Sequence, residues 1–184
     1  MSALGEECVE RARRFVELLA SRMREALEDS GEPPRLSEVL DAAARYTAGL
    51  PPCPLQGGLR SVYEKAAKLA IDSAMEALSR HMETLDEETY ALLSTSLTRY
   101  AFHVVALITH ALEAAAASPL PGDLLLEAYE PIVFASLARL LALAELVADS
   151  PPERLEKLAP RIAAIADKLK REEEEYLASL ASSL

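Results

Sequence analysis

Residues 84–117, TLDEETYALLSTSLTRYAFHVVALITHALEAAAA, decide how the chain is read. Tyr90, Leu93, Leu97, Tyr100, Val104, Leu107, Ala111 and Ala114 recur every three or four positions, the spacing that holds one stripe of a helix against a partner. Between Thr89 and Leu112 the sole formal charge is Arg99. A helix apolar around most of its circumference must be covered on most sides, by protein or by lipid. The stretch therefore predicts the central, apolar helix of an all-α bundle.

The flanking sequence supplies its partners. A first helix over 3–28 carries the stripe Leu4, Cys8, Ala12, Phe15, Leu19, Met23 and Ala26, and stops at Gly31, Pro33 and Pro34. A short one over 36–48 ends at Gly49. A third begins at the Ser61/Glu64 capping box, with a seam of Ala67, Ile71, Met75 or Ala74, Leu78 and Met82. Thr84 and Glu87 form a second such box at the start of the central helix, and so short a connection favours antiparallel packing. Beyond Pro119 and Pro121 a further helix is expected to kink or break at Pro131. Its later part, with Ile132, Val133, Leu137, Leu140, Leu141 and Ala144, is nearly as apolar as 84–117 and is placed beside it. Ser150, Pro151, Pro152 and Glu153 form a third capping box with proline at the first helical position. The last helix follows, with Leu155, Leu158, Ile162, Ile165 and Leu169 inward. Its final turns, about 170–184, are free to project, with Tyr176, Leu177 and Leu180 as an apolar edge where a second subunit would sit. The expectation is a single domain over 1–184, a bundle of five to six mostly antiparallel helices.

Composition agrees. The chain has 184 residues, enough to bury a core without staples. Its 33 Ala and 32 Leu against 8 Val and 5 Ile favour helix over strand. A net charge of −11, with the densest basic cluster (Arg11, Arg13, Arg14) interleaved with Glu7, Glu10 and Glu17, argues against nucleic acid as a partner. Asn is absent, Gln56 is the one glutamine, and 14 Arg stand against 5 Lys, a composition like that of a thermophile, although a GC-rich genome also favours Arg and Ala. The acidic N-terminus lacks the order of a signal peptide. The two most apolar stretches are interrupted by His103, His110 and Glu113 and by Arg139 and Glu145. A cytoplasmic protein that does not use the membrane is expected.

Few residues suggest chemistry. Cys8 and Cys53 form no metal or redox motif; they are either ordinary thiols or a disulfide pinning the loop 50–58, LPPCPLQGG, to the first helix. That loop is either a stiff spacer or a contact-making lid. On the central helix Arg99, His103 and His110 share a face and are candidate ligand-binding residues. His103 and His110 stand seven residues, about 10.5 Å, apart along the axis, too far to share one ion. A metal set would need His110 and Glu113 with Glu127 and Glu130. It departs from the Glu-x-x-His pattern of carboxylate-bridged bundles, and no Glu-x-x-His occurs in the chain. The other reading has both histidines hydrogen-bonded at the core rim and Arg99 paired with a neighbouring Glu. His81 has a structural place at a helix C-terminus. No phosphate-binding, nucleophile-elbow, zinc-protease, haem or calcium motif is present, and neither a cofactor nor a catalytic residue is expected. The sequence thus favours a non-catalytic bundle that associates with a protein partner or with itself. The alternatives are a ligand-binding bundle using Arg99, His103 and His110, and a metal-binding one.

Overall fold

The computed structural model describes residues 3–49, 58–120 and 122–183, with side chains from residue 5 and, in the last segment, from residue 124. Six helices make an all-α bundle, with no strand among the described residues: α1 (Ala3–Ser30), α2 (Leu36–Ala48), α3 (Gly58–Ser79), α4 (Glu87–Ala117), α5 (Gly122–Asp149) and α6 (Pro152–Ser183).

The helix enclosed on all sides is α5, not the expected 84–117 stretch. Every residue from Ile132 to Ala144 is buried, and α5 touches each of the other five helices. Both α4 and α5 are long and apolar enough to cross a membrane by length and composition, yet their most apolar windows are 44% and 83% buried in the bundle, respectively. The reason lies in what fills the outer positions. α5 places Ile, Val, Phe and Leu all round, whereas the exposed face of α4 is mostly small or polar, with Ala91, Thr95, Ala106 and Thr109 beside Arg99, His110 and Glu113, residues that do not require burial.

Pro131 does not break α5. A proline inside a helix costs about 3 kcal/mol, while each large apolar side chain fully buried returns roughly 1.5–3 kcal/mol. Ile132, Val133, Phe134 and Leu137, all buried immediately after it, outweigh the penalty. Pro160 is likewise accommodated within α6.

The partners pack by their stripes. α1 buries Cys8, Phe15, Val16, Leu19, Ala20, Met23 and Leu27 and is followed by Gly31 at φ 73°, the left-handed residue that ends the helix. Arg161 of α6 donates to the Gly31 carbonyl. Tyr46 of α2 stacks on Phe15 with ring centroids 3.8 Å apart, and its hydroxyl donates to the Arg11 carbonyl at 3.0 Å. α3 turns its alanines inward, Ala66, Ala70, Ala74 and Ala77, leaving Met75 and Met82 exposed rather than in the seam. It begins at Gly58, upstream of the expected Ser61 start. The α4 cap is Asp86, whose carboxylate accepts from the Thr89 amide at 3.1 Å, not Thr84. Ser150 does not cap α6 either; its hydroxyl turns back to the Leu146 carbonyl. α6 buries Leu155, Ala159, Ile162, Ala166, Leu169 and Glu173. Its last turns do not project, since Tyr176, Leu177 and Leu180 pack on the core.

Contacts give the helix directions. Phe15 meets Phe134 and Arg24 meets Asp149; Tyr63 donates to the Leu126 carbonyl and His81 bonds the Val147 carbonyl. α1 and α3 therefore run parallel to α5. α4 runs against it, with Tyr100 near Ser136 and His110 near Tyr129. Cys8 is disulfide-bonded; the segment 50–57, the expected spacer or lid that carries Cys53, lies outside the described residues.

Candidate functional site

A charged network lies inside the bundle where α4, α5 and α6 meet. Arg139 on α5 and Glu173 on α6 are both fully buried. The Arg139 guanidinium donates to Glu173 Oε2 at 3.0 Å, to Glu172 Oε2 at 3.2 Å and to the Pro34 carbonyl at 3.2 Å. Tyr100 on α4 donates to Glu173 Oε2 at 2.6 Å, and His103, one helical turn on, brings Nε2 to Glu173 Oε1 at 3.0 Å. Burial first, and then the Glu173 charge, hold the Tyr100 hydroxyl well above the ordinary tyrosine pKa, which keeps it a donor. Two polar atoms beside the network, Arg139 Nε and Ser136 Oγ, have no hydrogen-bond partner among the described residues.

A carboxylate receiving an arginine, a phenol and an imidazole ties three helices and the α1–α2 link to one point. A buried pair of this kind contributes little net stability, because desolvation offsets attraction, but it penalises any packing that separates its members. Among the described residues no serine, threonine or cysteine is hydrogen-bonded to His103, whose Nε2 is taken up by Glu173.

Outside the network lies an open groove of about 870 Å³ between α4 and α6. Arg99, Phe102, Ala106 and His110 line it from α4, and Lys170 and Leu177 from α6. α4 and α6 run parallel here, since Arg99 reaches Asp167 at 3.8 Å and His103 reaches Glu173. Two of the groove's charges are matched within its own walls. Lys170 holds Glu174 at 2.7 Å, a hydrogen bond that keeps that carboxyl below its usual pKa. Phe102 is 62% exposed at the centre of the trough. Arg99, His103 and His110, the candidate ligand residues, thus border one groove, but unequally. Arg99 is an exposed wall paired with Asp167, His103 is floor with its Nε2 turned inward, and His110 is rim, its Nε2 3.4 Å from the Tyr129 hydroxyl.

The metal candidates are not gathered. Among the described residues no group of three or more His, Cys, Asp or Glu is placed to hold an ion. Glu113 and Glu127 are exposed, while Glu130 is half-buried. Burial and the neighbouring Glu127 charge push the Glu130 carboxyl up to about 7. His81 is buried and bonds the Val147 carbonyl at 2.7 Å, fastening the turn after α3 to the end of α5. A smaller crevice of about 250 Å³, with Val9, Val62, Ala66 and Phe134 among its walls, separates α1, α3 and α5.

From the sequence Arg139 stands only as an interruption of an apolar stretch and Glu173 is not singled out, although a signal for the pair is present. Arg139 is the one charge between Pro131 and Ala144. Glu173 falls on the same stripe as Ile162, Ala166 and Leu169. A single charge on each of two core stripes, of opposite sign, calls for a pair.

Comparison with models of protein families, with curated proteins and with solved structures finds no match to this chain.

Proposed function

We propose that this is a non-catalytic cytoplasmic bundle whose role is to associate with a helix of another polypeptide chain along the α4–α6 groove. The observation that carries the reading is the outer face of α4. Ala91, Leu92, Thr95, Phe102, Ala106 and Thr109 are exposed and uncharged, on a chain whose net charge is −11. Depletion of charge with an exposed aromatic at the centre is the signature of an interface core rather than of free surface. An elongated trough between two helices suits an amphipathic helix laid lengthwise. The small-ligand alternative has Arg99 and His110 on one groove in its favour; but a ligand pocket encloses most of its guest, and this trough is open along its length. Arg99, His110 and Glu113 on the same face also argue against lipid as the covering medium.

The test places a photoreactive benzophenone amino acid at Phe102 and, as a control, at exposed Glu76 on α3. Cross-linking to a polypeptide from position 102 and not from 76, with the attachment mapped by mass spectrometry, is the expected result. Equal or absent cross-linking from both refutes the reading.

A further inference from the structure

The outer stripe of α4 is spaced symmetrically about Ala106. Centred on Ala106 it runs Arg99, Phe102, Ala106, His110, Glu113, all lining the groove or exposed on the same side of α4. At about 100° per residue these five fall within an arc of about 80° on the helix. Phe102 and His110 lie four residues to either side of Ala106. Arg99 and Glu113 lie seven residues to either side, about 10.5 Å along the axis, and carry opposite charges.

Resting on the groove reading above, we propose that the helix taken by this surface is α4 of a second copy, laid antiparallel about a twofold axis at Ala106. In that register each Arg99 meets the other copy's Glu113, each Phe102 meets the other copy's His110, and the two Ala106 methyls meet at the crossing. Every off-axis contact occurs twice, as an isologous interface requires. A small residue at the crossing point lets the axes approach to about 8 Å. Parallel pairing would put Arg99 on Arg99 and Glu113 on Glu113, so charge complementarity selects the antiparallel sense.

The free molecule leaves both charges available. The Arg99–Asp167 contact is long, at 3.8 Å, and both side chains are more than half exposed, so it holds Arg99 weakly. Glu113 makes no ion pair among the described residues. The chain's net charge of −11 disfavours the approach of two copies, but through most of their surfaces and not through this one. Between Thr89 and Ala117 the charges are Arg99 and Glu113, which cancel.

Sedimentation equilibrium from about 1 to about 100 μM provides the test, with folding of each variant checked by circular dichroism. Wild type is expected to dimerise. Arg99→Glu and Glu113→Arg, each placing like charges opposite twice, are expected to weaken the dimer about tenfold or more, and the double exchange R99E/E113R to restore it. Ala106→Cys, on the axis, is expected to give a disulfide-linked dimer under oxidation, whereas Ala91→Cys, some 22 Å along the helix, does not. A wild type that stays monomeric, while position 102 cross-links only to a different polypeptide, overturns the second copy and leaves the groove reading standing. A dimer indifferent to both charge reversals and unlinked by A106C overturns this register. Absence of any cross-link from 102 overturns both.

Discussion

Replacing Arg139 by Met tests whether the buried network governs the bundle. Met matches much of the aliphatic volume but removes all the donors. The structure gives the consequence in parts. Glu173 keeps Tyr100 and His103 but loses its one permanent cation, and the Pro34 carbonyl and Glu172 lose their shared donor. Removing one member of a buried pair costs about 3–5 kcal/mol, mostly because the remaining charge stays in a site that no water reaches. For a chain of this length about 1 kcal/mol moves the melting temperature by about 2–4 °C, so R139M is expected to melt about 6–20 °C lower. Adding Glu173→Gln removes the stranded charge while leaving an acceptor for Tyr100. The double variant R139M/E173Q is expected to regain about 2 kcal/mol of the loss, a coupling measurable by urea unfolding. A cost under about 1 kcal/mol for R139M, or strict additivity of the two substitutions, would falsify the network as a coupled unit.

Three further expectations follow from other parts of the molecule. The Glu130 carboxyl is raised from 4.5 to about 7 in the folded chain, so the fold holds that proton more tightly than the unfolded chain does and loses the benefit as pH rises through about 7. The full shift corresponds to about 3 kcal/mol, which solvent at this half-buried site reduces to about 1–2 kcal/mol; Glu130→Gln should therefore stabilise by that amount at pH 8 and leave stability unchanged at pH 4, and an equal effect at both pH values would count against the assignment. Gly31→Ala places a side chain at φ 73° and against the Arg161 guanidinium. It should lower stability by about 1–2 kcal/mol in thermal unfolding, whereas no change would show that the turn relaxes freely. Dialysis of untagged protein against a chelator should leave its melting temperature unchanged, because His110, Glu113, Glu127 and Glu130 are not gathered; a drop would reinstate a metal site.

Much of the architecture was legible because helix signals are local. Gly31 at the end of α1, Pro152 at the first position of α6 and the stripe Phe15, Leu19, Met23 need no knowledge of the rest of the chain. What was not legible depends on which helix covers which. Near-absence of charge between Thr89 and Leu112 suggests burial, but Thr95, Ala106 and Thr109 are uncharged and exposed, and periodicity alone does not separate a covered face from one awaiting a partner. α5 carries large side chains where α4 carries small ones, and volume rather than polarity was the discriminating property. The site split along the same line. Arg99, His103 and His110 were placed on one face by spacing alone, whereas Glu173 enters the network from a helix about 70 residues further along, a distance local pattern does not bridge.

The two features absent from that reading bear on one another. A groove between α4 and α6 has a fixed width only if those helices cannot slide, and their apolar stripes alone permit adjustment, since Leu and Ala contacts are non-directional. Tyr100 and His103 on α4 both end on Glu173 of α6, and Arg139 locks that carboxylate to α5. One helical turn of sliding, about 5.4 Å, would break every one of these bonds within a buried site. The network therefore holds Phe102 and Leu177 at a set separation across the trough without contacting whatever lies in it. A surface ordered before its partner arrives loses less freedom on binding. R139M should then weaken association as well as stability, and R139M/E173Q should recover part of both, although neither residue lines the groove.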